Sequence, residues 1–204
     1  MDIKLNFVNQ SNDENNSQVV IFQKNVASGV EEPAVAWRVI DCGVNDSHPF
    51  VFPMAMSVAA SDAHGNFSPQ MPAQNGQAFD YTAGASGNTL ADAGMSTSAS
   101  EVHVRNKAVI GAIDASIFKD GKIMAVKTSI APGQQAVFQF KPTIWIGVAS
   151  QIGQGEVMNT AILSNVNTEL SLLGIARADI IMRGGGPGKT SSAFTFTLAN
   201  VVMA

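Results

Sequence analysis

Residues 182–192 read MRGGGPGKTSS, and their end, Gly188-Lys189-Thr190, has the chemistry of a phosphate-cradling loop. In GxxxxGK[ST] the backbone N–H groups of a glycine-rich turn, and of the helix that follows, hold the phosphates. The spacing here fails by one residue, because the first glycine would have to stand where Arg183 does. Pro187 also removes one N–H donor, and the next residues, SSAFTFTLANVVMA, alternate Phe194, Phe196 and Leu198 with threonines as a strand does. The stretch reads as a glycine-rich hairpin loop in which Arg183 and Lys189 flank exposed amides.

Two histidines follow an acid by two residues, as Asp62-Ala63-His64 and Glu101-Val102-His103. On a strand, residues two apart share a face, so each pair presents a carboxylate and an imidazole together, a donor set suited to a transition metal. No HxH or HExxH spacing accompanies them, and surface or half-buried histidines are the plainer reading. Cys42 precedes His48 by six residues, which raises a Cys–His nucleophile, against which stands the ordinary buried thiol. The oxygen-rich SNDENNS (11–17) lacks the spacing and glycine of a calcium loop and reads as a solvated turn. No GxSxG elbow or Ser-His-Asp set occurs.

The elements that must position these groups are strands. Ile3, Leu5 and Phe7 alternate with polar residues, and a second run begins at Val19, which together read as a hairpin with a long tip over 10–17. AVAWRVI (34–40) is β-rich, 50–60 holds one or two buried strands, and Asn75-Gly76 marks a turn before 77–82. AGASGNTLADAGMSTSAS (83–100) is small and polar and reads as a long loop. Asp120-Gly121, taken as a type I′ turn, pairs Lys119 with Lys122, Phe118 with Ile123, Ile117 with Met124 and Ala115 with Val126, and sets Asp114 against Lys127. Phe138 and Phe140 share a face, as do Ile144, Ile146 and Val148, with Trp145 opposite. Segment 168–172 alternates as well, and strands at 179–183 and 193–203 close the chain. Only 157–173 has helical spacing, and its Asn, Ser and Thr content argues against a helix there. The expectation is an all-β antiparallel β-sandwich with at most one short helix, a closed β-barrel being the alternative, in one domain over 1–204.

Composition limits function. Charged residues are 14% against 46% hydrophobic, so much of the surface is neutral and self-association is eased. The net charge of −4 excludes a sequence-independent grip on nucleic acid. Residues 1–104 carry three cations against eleven acids, and 105–204 carry nine against five. Either the halves interleave in one fold or the molecule has an acidic and a basic side able to stack head to tail. No apolar run spans a membrane, no secretory leader is visible, and a single cysteine allows no internal disulfide, so a cytoplasmic location is expected.

The phrases VVIFQKN, AVAWRVI, FKPTIWIGVAS and NTELSLLGI resemble those of an uncharacterised family of bacterial proteins of about this length. That resemblance implies a whole-chain bacterial domain and transfers no activity and no site residue. The function expected from the residues is a non-catalytic β-sandwich without cofactor that binds itself, as a homo-oligomer, or another protein. Trp145, Arg183 and Lys189 are its candidate contact residues. A membrane-active or glycan-binding sandwich, in which 83–100 would be mobile, and a metal-dependent enzyme built on the acid–histidine pairs are the other readings.

Overall fold

A computed structural model describes residues 2–15, 17–27, 33–84 and 87–204. In chain order the strands are β1 (Ile3–Asn9), β2 (Gln18–Phe22), β3 (Arg38–Ile40), β4 (Ser47–Phe52), β5 (Met56–Asp62), β6 (Met71–Ala73), β7 (Gln77–Gly84) and β8 (Gly87–Met95). There follow β9 (Val102–Asn106), β10 (Ile113–Lys119), β11 (Lys122–Ile130), β12 (Gln135–Phe138), β13 (Thr143–Ala149), helix α1 (Thr160–Asn165), β14 (Thr168–Ser171), β15 (Ile175–Gly185) and β16 (Ser192–Met203). Among the described residues they form four open four-stranded sheets, mostly antiparallel, so the protein is an all-β sandwich with one short helix and no closed barrel.

The chain divides into two compact units. The first holds Met1–Gln23, Ala34–Met54 and Pro142–Ala204, and the second Lys24–Pro33 and Ala55–Lys141. Each unit therefore contains two of the sheets. The first unit carries five cations and eight acids and the second seven and eight, so the acidic and basic halves of the sequence are mixed within the units.

In the first unit, one sheet is ordered β16-β15-β1-β4 and the other β14-β13-β2-β3. Alternation makes β1 one-sided, with Ile3, Leu5 and Phe7 buried and Lys4 exposed. Trp37 meets Phe52 edge to face at 5.5 Å, and the Arg38 guanidinium lies 5.1 Å from the Trp37 ring and 5.0 Å from that of Phe50. β2 is buried on both faces, because Val20 and Phe22 pack under Met158 and Val166 beside α1. Asn159 caps α1, accepting the Ile162 N–H at 3.0 Å on its side-chain oxygen. Gly147 lets this helix sit on β13, since a Cβ there would stand 2.5 Å from Val166 Cα. The expected hairpin of β1 and β2 does not form. β1 pairs with β15 and β4, and β2 with β13 and β3, so the 10–17 loop carries the chain from one sheet to the other.

In the second unit the sheets are β11-β10-β5-β6 and β12-β9-β7-β8. Asp120 (φ 53°) and Gly121 (φ 67°) make the expected turn, and Lys119–Lys122 and Phe118–Ile123 pair as anticipated. A bulge then shifts the register by one, setting Ile117 against Ala125 and Ala115 against Lys127, while Asp114 accepts the Ser129 N–H at 2.8 Å. The reading of 83–100 as a loop is corrected too. Gly87–Met95 within it is strand, with β8 pairing along β7, the Thr82 and Thr89 hydroxyls 2.8 Å apart and Leu90 buried. Small polar residues suffice on an edge strand because its neighbour supplies the ladder.

Candidate interaction surfaces

The two most exposed branched aliphatic side chains of the second unit, Val109 and Ile110, stand on a loop anchored by Asn106. Asn106, at the end of β9, is fully buried and uses every polar atom it has. Its Nδ2 donates to the carbonyls of Gly111 and Ile130, both at 2.9 Å, and its Oδ1 accepts the Ala108 N–H at 3.0 Å. Its own N–H donates to Gln134 O and its carbonyl accepts from Gly133. The Lys107 N–H reaches Tyr81 O at 2.8 Å, and Gly111 turns the chain at φ 91°. Between these anchors Val109 is 92% and Ile110 82% exposed. An asparagine buried with all its bonds made fixes a backbone firmly, and here it fixes one that holds two aliphatic side chains in water. The sequence reading passed over 106–111. Asn106 and Gly111 bracket the loop as turn residues, but the outward direction of Val109 and Ile110 leaves no mark in the sequence.

The acid–histidine pairs sit in the same unit and behave differently. Glu101 Oε2 lies 2.8 Å from His103 Nε2, with His103 buried. A carboxylate only accepts, so the ring carries its proton on Nε2. Asp62 instead closes a turn, taking the Asn66 Nδ2 (3.0 Å) and N–H (3.0 Å), the His64 N–H (2.9 Å) and the Asn88 Nδ2 (2.9 Å). The Asn66 side chain and backbone, then His64, hold its carboxyl down to about 2. Beside it, burial first and the Asp62 charge second push the Tyr81 phenol up. Among the described residues no three His, Cys, Asp or Glu side chains converge as metal ligands would.

In the first unit, the glycine-rich stretch ends β15 and turns into β16. Gly184, Gly185 and Gly186 all take positive φ, and a Cβ on Gly184 would run into the Ala193 carbonyl. Gly188–Thr190 is a single 3-10 turn, and β16 follows it directly, so no helix N-terminus faces the loop. Arg183 is tied by its Nη2 to Gln10 Oε1 at 2.9 Å, and Lys189 is exposed on the turn. The Asn12 N–H donates to Gly184 O, which brings the 10–17 loop against this one. Between them lies an open groove of about 760 Å³, lined by Asn12, Asp13, Glu14, Val44, Pro187 and Thr190 among others. The two stretches weighed separately for anions and for calcium thus share one groove. Asp13 is buried, and although burial raises its carboxyl, the N–H groups of Ser17 and Asn15 outweigh that and lower it. That carboxylate closes its own turn.

Burial, then the charge of Asp46, pushes the Cys42 thiol up, the opposite of what a nucleophile needs. Trp145 lies on β13, half-buried and stacked on Phe22 at 6.4 Å, on a different sheet from Arg183 and apart from the turn that carries Lys189.

No helix among the described residues is long and apolar enough to cross a membrane. Comparison with protein-family models, curated proteins and solved structures gave no match.

Proposed function

We propose that the chain is a non-catalytic association module that docks on protein, either a second copy of itself or another chain. The observation that carries this reading is the stapled tip, where a buried asparagine with three side-chain hydrogen bonds presents Val109 and Ile110 to solvent. Apolar side chains on a pre-ordered backbone bind with little entropic penalty, the property expected of a contact residue. The second unit has seven cations and eight acids, which disfavours an anionic lipid surface as the target. The raised Cys42 thiol and the fully engaged Asp62 and Asp13 carboxylates weigh against catalysis. A photo-reactive group placed at position 109 tests the reading by recording what lies against the tip.

A further inference from the structure

Among the described residues eight strands lie at sheet edges, and seven of them are short or carry a charge, glycine or proline that discourages pairing with another chain. β3 and β6 have three residues each and β12 and β14 four. β4 contains Pro49, β8 contains Asp92 and Gly94, and β11 contains Lys122 and Lys127. Short length, proline, glycine and charge are the means by which edges are kept from adding a neighbour. β16 has none of these charges, glycines or prolines; it bulges against β15 at Ala193-Phe194 and at Asn200-Val201, where Asn200 takes φ 49°, and between the bulges Thr195–Ala199 pair in unbroken register. It runs for 12 residues, SAFTFTLANVVM, without Asp, Glu, Lys, Arg or Pro, and among the described residues only β15 pairs with it.

Its side chains suit a neighbouring strand. Phe196 is buried, Thr195 and Thr197 stand exposed on the opposite face, and Val201, Val202 and Met203 are 44%, 45% and 63% exposed at the far end. Leu173, 71% exposed, extends that apolar end, since the Ala204 N–H bonds to Gly174 O.

We infer that the outer edge of β16 pairs antiparallel with β16 of a second copy about a two-fold axis at Thr197, joining two four-stranded sheets into one. A neutral edge meets its own copy without like-charge repulsion, and a two-fold contact closes at the dimer. With the axis at Thr197, the unbroken stretch Thr195–Ala199 pairs with its own copy, Thr195 beside Ala199 and Phe196 beside Leu198. The inference rests on the association reading but uses a surface independent of the Val109–Ile110 tip.

Sedimentation of the full chain tests it, with Thr197→Lys and Thr197→Glu as variants at an exposed position that leaves the core intact. The wild-type chain is expected as a dimer, each variant alone weakens it about tenfold or more, and an equal mixture of the two restores it. A monomeric wild type, a dimer indifferent to both variants, or a mixture no tighter than the variants alone each overturns the β16 contact. None of these results touches crosslinking from position 109, so failure of the edge and failure of the association reading are told apart.

Discussion

The Asn106 side-chain amide holds the Gly111 carbonyl at 2.9 Å, closing the five-residue span on which Val109 and Ile110 stand. The same amide reaches Ile130 O across to β11, so the loop is fastened to both sheets of its unit. Replacing Asn106 with Ala leaves two carbonyls and the Ala108 N–H without this partner. It is expected to cost about 3 kcal/mol, read as a lower denaturant midpoint.

Val109→Ser/Ile110→Ser is expected to spare stability. Both side chains are more than four-fifths exposed, so folding stability should stay within about 0.5 kcal/mol of wild type while association through the tip is lost. Denaturant unfolding beside crosslinking yield separates the two effects.

Gly147 faces the last turn of α1, with Asn165 O 3.0 Å and Val166 Cα 2.5 Å from where a Cβ would stand. Both are backbone atoms, so the helix must move to admit a methyl group. Gly147→Ala should destabilise by about 2 kcal/mol, with near-ultraviolet dichroism of the nearby Trp145 altered.

Asp62 has a folded pKa of about 2, below its usual 3.8, because Asn66 and His64 donate to the carboxylate. A depressed acid contributes stability that is present above the unfolded pKa and is lost as pH falls through the folded one. The 62–66 turn is therefore expected to hold at pH 5 and to loosen between about pH 4 and 2. The Asn66 side-chain amide resonances should follow it, and a midpoint near 4 would refute the assignment.

The parts of this fold legible in sequence are those decided by neighbours along the chain. Asp120-Gly121 dictated its turn and the first two pairs beyond it, and period-two alternation located β1, β13 and β16. The bulge at Met124 was invisible, because no turn residue and no break in the apolar pattern marks it. β1 and β2 look like a hairpin for the same reason. Their true partners include β15 and β13, more than a hundred residues away, and nothing local names them. At the tip, nothing in the sequence of Val109-Ile110 tells which way the pair faces, and only the Asn106 bonds show that it is held outward. For β16, the absence of charge is plain in the sequence, but its place at an edge is not.

The most direct test of the association reading places a benzophenone amino acid at Val109, with Ala161 on the exposed side of α1 as control, and irradiates cells making the full chain. Discrete protein adducts from position 109, absent from position 161 and abolished by Asn106→Ala, are the predicted result. Irradiated chains that form no protein adduct from position 109, or form the same ones from position 161, would contradict it.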